Sequence, residues 1–157
     1  EGSGAPVACD PGTFTNATGQ TSADDCLDCT AAYYCDKSGI VMPYKLCSAG
    51  YYCPGGDIVP TLNCTLGHYC PEGVAEPVPC EGGLYQDEQG QDECKTCPEG
   101  YFCDGATETP EVCPSGYYCP SGTSGQYDFP CDLGFYNNVT GLKASNDCFP
   151  CPPGEYC

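Results

Sequence analysis

An aromatic residue returns nine times along this chain, each time five places after a cysteine and, with one exception, two places after a glycine. The cysteines that open these units lie 16 to 20 residues apart, at Cys9, Cys29, Cys47, Cys64, Cys80, Cys97, Cys113, Cys131 and Cys151. The aromatic residues are Phe14, Tyr34, Tyr52, Tyr69, Tyr85, Phe102, Tyr118, Tyr136 and Tyr156, and Ala32 replaces the one missing glycine. A period this short and complete predicts a tandem array, whose units we number repeat 1 to repeat 9.

The residues between these landmarks leave room only for short strands and turns. No stretch free of Gly, Pro and Cys is longer than six residues, which is too short for a helix of ordinary length. Glycine at the fourth position of a repeat suits a backbone with positive φ, or a close approach by a neighbour. We expect the aromatic ring at the sixth position to pack on the disulfide of the next repeat. The predicted fold is a small disulfide-rich one, an elongated tandem array of short β-hairpin and turn units with almost no helix.

Every repeat holds one further cysteine, whose place distinguishes two kinds of repeat. In long repeats it comes just before a Cys-x2-Cys step, at Cys26, Cys94 and Cys148. In short repeats it directly follows the aromatic residue, as Cys53 follows Tyr52. The order of long and short repeats predicts three segments, 9–79, 80–130 and 131–157, which hold one long repeat each and three, two and one short repeats.

The two ends of the sequence are assigned separately. Residues 1–8 are predicted to be a linker. Because Cys157 ends the sequence in mid-pattern, we expect the third segment to continue into a further repeat, or to dock head to tail on another copy. There are two other interpretations of this end: the sequence was cut at an arbitrary point, or flanking residues were lost.

Composition indicates an oxidising location. Cysteine makes up 18 of the 157 residues, whereas Leu, Ile, Val and Phe together number 21, which is too few for an ordinary apolar core. Disulfides must replace that core, and paired thiols in such number are typical of secreted or cell-surface proteins. Three N-x-[ST] sequons agree with this location and predict N-linked glycans on Asn16, Asn63 and Asn138.

The net charge of −18 arises from 22 acidic residues against four lysines, with no arginine. Phosphate binding needs clustered cations, so this balance argues against nucleic acid as a partner, and it also disfavours anionic lipid. No apolar run approaches the ~20 residues that span a bilayer. The acidic pairs would suit calcium but lie outside any EF-hand frame, so we interpret them as a solvated surface and expect no cofactor; they are Asp24-Asp25, Asp87-Glu88 and Asp92-Glu93.

The sequence contains no recognisable catalytic or metal-binding motif. The Cys-x2-Cys steps lie more than 50 residues apart, so we interpret them as structural disulfides and not as zinc or redox sites. His68 is the only histidine, and other short repeats carry Tyr or Glu at its position, so we predict an exposed variable residue. Without a motif that pairs a nucleophile with a base, the chain is predicted not to be an enzyme.

The long repeats resemble a known family. The sequences Cys9-Asp-Pro-Gly-Thr-Phe with Asp25-Cys26-Leu-Asp-Cys29, Cys80-Glu-Gly-Gly-Leu-Tyr with Glu93-Cys94-Lys-Thr-Cys97, and Cys131-Asp-Leu-Gly-Phe-Tyr with Asp147-Cys148-Phe-Pro-Cys151 are similar to the ephrin-receptor-like cysteine-rich repeat. That repeat is related in style to tumour-necrosis-factor-receptor and EGF-like modules, and it occurs in large extracellular proteins, including many of protists. The consecutive short repeats depart from the receptor modules and favour the long protist arrays.

The resemblance also implies a disulfide pattern. It joins Cys9 to Cys26, Cys80 to Cys94, and Cys131 to Cys148. For successive short repeats it implies crossed pairs, which are Cys29–Cys47, Cys35–Cys53, Cys97–Cys113 and Cys103–Cys119. The remaining cysteines, Cys64, Cys70, Cys151 and Cys157, could pair locally, shift the register of the others, or reach a neighbouring copy.

These observations favour a structural function. We expect a segment of an extracellular glycosylated filament, such as a surface fibre, flagellar hair or matrix filament, whose partners are further copies of itself. The alternative is a ligand-binding ectodomain of a receptor or adhesion protein. The most apolar linker is the candidate contact patch in either case, and it contains Ile40, Val41, Met42 and Tyr44.

Overall fold

The computed structural model describes residues 5–157, so half of the predicted linker 1–8 lies outside the described residues. Seven antiparallel hairpins of two short strands each make up the regular structure. Each hairpin pairs the strand at positions five and six of a repeat with the strand that ends just before the next repeat. The strands are β1 (Thr13–Phe14) with β2 (Leu27–Asp28), β3 (Tyr33–Tyr34) with β4 (Lys45–Leu46), β5 (Tyr51–Tyr52) with β6 (Leu62–Asn63), β7 (His68–Tyr69) with β8 (Val78–Pro79), β9 (Leu84–Tyr85) with β10 (Lys95–Thr96), β11 (Tyr101–Phe102) with β12 (Glu111–Val112), and β13 (Phe135–Tyr136) with β14 (Phe149–Pro150).

Helical structure within residues 5–157 is limited to two 3₁₀ turns, Ala23–Asp25 and Ser145–Asp147, at the same place in two long repeats. One carboxylate oxygen of Asp25 accepts the N–H groups of Thr21 and Ser22, and Asp147 holds its own turn in the same way. The predicted fold class is confirmed: the chain is a small disulfide-rich array of tandem hairpin units with almost no helix.

The described residues form two compact bodies. One contains residues 5–64, 70–77 and 90–92, and the other contains residues 65–69, 78–89 and 93–157. In the first body the ring of Phe14 packs against a buried cluster of Cys29, Cys35 and Ile40. In the second body Phe102 is buried against Cys113 and Cys119. In both places, therefore, a position-six ring contacts the disulfide of the next repeat, as expected.

All 18 cysteines are paired, and the short repeats close on themselves. The long repeats contain Cys9–Cys26, Cys80–Cys94 and Cys131–Cys148, the same pairs that the resemblance implied. The crossed pairs Cys29–Cys47, Cys35–Cys53, Cys97–Cys113 and Cys103–Cys119 are wrong. The structure instead contains Cys29–Cys35, Cys47–Cys53, Cys97–Cys103 and Cys113–Cys119, and it pairs Cys64 with Cys70 and Cys151 with Cys157.

The tight turn inside each short repeat explains this local pairing. In repeat 3 the Tyr51 N–H donates to the Ser48 carbonyl (3.0 Å), and Gly50 between them has φ +82°. A two-residue strand follows the turn and returns the chain, so that the Cα atoms of Cys47 and Cys53 lie 5.8 Å apart. That distance is ordinary for a disulfide, so six residues of local chain suffice to close the bond.

Candidate functional site

The surfaces that join successive repeats are made of backbone groups. At the junction of repeats 3 and 4, the Cys64 N–H donates to the Gly50 carbonyl (2.9 Å), and the Gly50 N–H donates to the Cys70 carbonyl (2.8 Å). A third bond runs from the Gly73 N–H to the Cys47 carbonyl (2.8 Å). The position-four residue of one repeat is therefore held at both its N–H and its carbonyl by the next repeat.

The same bonds recur at other junctions within each body. The position-four N–H donates to the carbonyl at position seven of the following repeat over 2.7 to 2.9 Å. The donors are Gly12, Ala32 and Gly50 in the first body, and Gly67, Gly83, Gly100 and Gly116 in the second. Because only main-chain groups take part, the docking geometry tolerates wide variation in side chains. We call this set of bonds the repeat-docking interface.

Position seven of the long repeats carries a polar side chain where short repeats carry a cysteine. Thr15, Gln86 and Asn137 occupy this position, and each side-chain oxygen accepts the N–H group two residues further on, over 2.8 to 3.3 Å. Gln86 is only 1% exposed and also donates to the Glu93 carbonyl (2.6 Å). Sequence reasoning missed these residues, although a polar residue at position seven of every long repeat was a visible signal.

The predicted contact patch is divided by the fold. Ile40 is buried in the core of the first body, so it cannot contact a partner, whereas Val41 and Met42 are about two-thirds exposed. Tyr44 is also exposed, and its hydroxyl donates to the Asp36 carboxylate (3.2 Å). The surface part of the patch is therefore Val41, Met42 and Tyr44.

Lysines beside this patch and elsewhere are paired with acids. Lys45 donates to Asp36 and lies near the Tyr34 and Tyr44 rings, with its Nζ 5.4 and 5.8 Å from their centroids. The hydrogen bond to Lys45 lowers the pKa of the Asp36 carboxyl, and the same bond raises the pKa of Lys45. Lys95 pairs with Asp87 (2.6 Å) and Lys143 with Glu99 (2.8 Å). These pairs leave a surface dominated by acidic groups.

The three sequons lie on the surface. Asn16, Asn63 and Asn138 are all exposed, and so are the threonines that complete their sequons. Asn16 and Asn138 each directly follow a position-seven residue whose side chain turns the backbone. Exposure satisfies the physical requirement for a glycan at all three sites.

The structure places the other candidate residues as follows. His68 is half-buried in β7, contrary to the expected exposure, because its Nδ1 lies 2.8 Å from the Leu66 carbonyl oxygen. The cysteines of the Cys-x2-Cys steps are all in disulfides. Among residues 5–157, no group of three or more His, Cys, Asp or Glu side chains is arranged to hold a metal ion.

Repeat 7 lacks the hairpin of short repeats 2, 3, 4 and 6 and exposes a group of aromatic rings. Its chain forms a single β-bridge between Tyr117 and Pro130 in place of a hairpin. The Tyr127 ring is 62% exposed, and its centroid lies 5.1 Å from that of the Tyr117 ring. The centroids of the Phe129 and Tyr118 rings are 5.7 Å apart. We call these four residues the repeat 7 aromatic surface. Sequence reasoning missed it because it depends on contacts across the repeat.

The turn that presents Tyr127 is held by one carboxylate. The Asp128 Oδ2 accepts the Gly125 N–H (2.7 Å) and the Ser124 hydroxyl (3.1 Å). The Asp128 N–H in turn donates to the Gly125 carbonyl (3.3 Å). Three bonds within five residues therefore fix the loop that carries the most exposed ring of the surface.

Comparison with known proteins agrees with the repeat architecture. The chain is 30% identical over 167 aligned residues to cysteine repeat modular protein A of Toxoplasma gondii, an alignment that covers 94% of this chain and 5% of that protein. The chain is a cysteine-rich repeat array. It spans about one-twentieth of the length of the curated relative that it matches. No protein-family model matches the array. Within residues 5–157, we find no helix with the length and apolar character needed to cross a membrane.

Proposed function

We propose that this array is a structural segment of an extracellular, glycosylated filament, and that it is not an enzyme. The repeat-docking interface is the observation that carries the proposal. Because each repeat offers the next the same main-chain donors and acceptors, repeats can be added without a change in the contact. A subunit built in this way suits a surface fibre or matrix filament whose partners are copies of itself.

The disulfides and the sequons support the extracellular location. Nine disulfides would not persist in a reducing cytosol, and three exposed sequons suit a secreted chain. The name of the Toxoplasma relative describes a modular cysteine-repeat protein, which agrees with a repeated structural unit. We also propose that the long repeats are modules of the ephrin-receptor-like kind, which their sequences resemble.

Imaging the native, non-reduced material by electron cryo-microscopy tests the filament. We expect a continuous fibre with an axial repeat that accommodates nine units, and with glycan density at Asn16, Asn63 and Asn138. Discrete particles with blunt ends, at a concentration near that in the native material, would contradict the proposal.

A matched pair of variants tests the surface part of the contact patch. Val41→Asp places a charge in the patch, and Leu133→Asp places one at another exposed apolar residue, which is 97% exposed. Sedimentation velocity should show weaker self-association for Val41→Asp and unchanged self-association for Leu133→Asp. Equal behaviour of both variants and the parent chain would remove the patch from the interface.

The repeat 7 aromatic surface favours a second function, that of a ligand-binding ectodomain. Exposed aromatic rings on a well-held turn are typical of binding sites, and repeat 7 brings two exposed rings, Tyr127 and Phe129, beside Tyr117 and Tyr118. A glycan-array screen of the secreted chain tests this function. A bound neutral glycan that is lost on Tyr127→Ala but retained on Tyr101→Ala would support it, and the absence of any Tyr127-dependent binding would count against it.

A further inference from the structure

Two of the three sequons share a feature that the third lacks. Phe14 lies two residues before Asn16, and Tyr136 lies two residues before Asn138. Thr61 occupies the corresponding place before Asn63. The two aromatic residues are the position-six rings of their repeats, so the pairing of ring and sequon follows from the repeat pattern.

Each sequon asparagine lies just past the strand that carries the ring, because Phe14 ends β1 and Tyr136 ends β13. The asparagine is therefore separated from the ring by position seven alone. In repeat 8 that intervening residue points inward: Asn137 is 8% exposed and its Nδ2 donates to the Tyr117 carbonyl (3.0 Å), whereas Asn138 beside it is exposed.

The position-seven side chains also fix how the sequon asparagine leaves the strand. The Thr15 hydroxyl oxygen accepts the Ala17 N–H (3.3 Å), and the Asn137 Oδ1 accepts the Val139 N–H (2.8 Å). Each bond spans the sequon asparagine and closes a turn around it. The backbone that carries the attachment nitrogen is therefore held by the same kind of hydrogen bond in both repeats.

Each ring has one side packed on protein and remains partly accessible. Phe14 packs against the cluster of Cys29, Cys35 and Ile40. The centroid of the Tyr136 ring lies 5.9 Å from that of the Phe149 ring. Both rings are half-buried, so part of each aromatic surface faces solvent. The apolar C–H face of a pyranose ring is a suitable cover, because aromatic faces carry partial negative charge that attracts C–H groups.

We propose that Phe14 and Tyr136 are seats for the first N-acetylglucosamine of the glycans on Asn16 and Asn138. The seated sugar covers the ring and holds β1 against β2 and β13 against β14. The glycan on Asn63 has no such seat and leaves its hairpin unchanged. This inference rests on the proposed extracellular, glycosylated function, and it adds that two of the glycans are part of the fold.

Hydrogen exchange on the chain secreted from eukaryotic cells tests the proposal in three glycoforms. One form is intact, one is trimmed by an endoglycosidase that leaves the first sugar, and one is cleared by an amidase. We expect trimming to leave exchange unchanged. We expect clearing to accelerate exchange in the β1–β2 and β13–β14 hairpins by roughly threefold to tenfold, with no change in β5–β6 beside Asn63.

Substitutions at position six separate a seat from an indirect effect. Phe14→Leu keeps an apolar side chain against the buried cluster but removes the aromatic face. Clearing the Asn16 glycan from that variant should therefore no longer accelerate exchange in the β1–β2 hairpin. Tyr52→Leu is the matched control, because Tyr52 occupies position six of a repeat without a sequon two residues later. Clearing should still accelerate exchange in the β1–β2 hairpin of the Tyr52→Leu variant, as in the parent chain, and its β5–β6 hairpin should exchange equally in all three glycoforms.

The outcomes distinguish this inference from the proposed function. Glycans on all three sequons with equal effects on their hairpins would overturn the seats and leave the extracellular glycoprotein standing. A secreted chain without glycans on Asn16 and Asn138 would overturn both. Acceleration on trimming alone would also overturn the seats, because it would show that outer sugars carry the effect.

Discussion

Gly50 lies against the carbonyl oxygen of Gly90, two repeats further along the chain, so closely that a Cβ at Gly50 would come within 2.3 Å of that oxygen. The φ of Gly50 is also positive, at +82°. Two separate physical reasons therefore require glycine at this position: the left-handed backbone and the approach of another main chain. A Cβ added at Gly83 or at Gly67 would collide in the same way with the carbonyl oxygen of Gly122 or of Ala106.

Gly50→Ala and Gly116→Ala separate these two reasons. Gly116 occupies the same position of its repeat with φ +87°, but a Cβ there would meet no atom within 4 Å in the described part of the chain. We expect Gly116→Ala to cost ~1 kcal/mol of unfolding free energy from backbone strain. Gly50→Ala should cost a further ~1 to 3 kcal/mol, because main-chain atoms must move apart. Denaturant unfolding with the disulfides intact measures both, and equal losses would contradict the close approach.

Ala32 gives the opposite prediction, because it is the one alanine at position four. Its φ is +71°, and its N–H and carbonyl keep the docking bonds to Cys53 and Cys47. Ala32→Gly relieves the strain of a left-handed alanine but adds freedom to the unfolded chain. The net effect should be a stabilisation of ~0.5 to 1 kcal/mol. A lower unfolding midpoint for Ala32→Gly than for the parent chain would show that the methyl group contributes packing that outweighs the strain.

The ion pair beside the contact patch predicts a pH dependence. The hydrogen bond from Lys45 lowers the pKa of Asp36 in the folded chain. A carboxyl with a lowered folded pKa stabilises the fold above its unfolded pKa, and that contribution is lost as pH falls through the folded pKa. In a carboxyl-detected NMR titration, Lys45→Gln should raise the pKa of Asp36, whereas Lys95→Gln should raise that of Asp87 and leave Asp36 unchanged. An Asp36 pKa that is the same with and without Lys45 would exclude this pair as its cause.

The disulfides differ in accessibility, which predicts an order of reduction. The bonds of repeats 2, 3, 4, 6 and 7 are at most 1% exposed at both cysteines, whereas Cys26, Cys94 and Cys131 of the long repeats are half-buried. Thiol–disulfide exchange needs access to sulfur, so a limiting thiol reductant should open the long-repeat bonds before those of repeats 2, 3, 4, 6 and 7. Alkylation followed by mass spectrometry should label Cys26 and Cys94 before Cys47 and Cys53. Early labelling of Cys47 would mean that the short-repeat bonds open more readily than their burial indicates.

The sequence predicted the local features of this fold better than the contacts between repeats. The glycine at position four indicates its own backbone geometry, so a positive φ at Gly50 could be predicted, and the resemblance of the long repeats to a known module implied the Cys80–Cys94 bond. The polar residue at position seven was visible in the sequence, but the burial of Gln86 was not, because it depends on how the long hairpin folds back to the Glu93 carbonyl. The repeat 7 aromatic surface could not be predicted either, because it depends on contacts across that repeat. The approach of Gly50 to Gly90 likewise joins residues that no local pattern connects.

The crossed disulfides were wrong for a related reason. Cys47 is compatible by spacing with Cys29 or with Cys53, and nothing in the order of cysteines separates the two. The turn around Gly50 decides between them, because it brings the Cα atoms of Cys47 and Cys53 to 5.8 Å before any other repeat is involved. The disulfide pattern implied by the resemblance to receptor modules is therefore correct in the long repeats and wrong in the short ones.

Locally closed repeats are the central claim, and a non-reduced tryptic digest tests it most directly. The only cleavage sites follow Lys37, Lys45, Lys95 and Lys143. Local pairing predicts that fragments 1–37 and 46–95 separate without reductant, while fragments 96–143 and 144–157 stay joined through Cys131–Cys148. Fragment 1–37 linked to fragment 46–95 would contradict the account, because only a bond from repeat 1 or repeat 2 to a later repeat could join them.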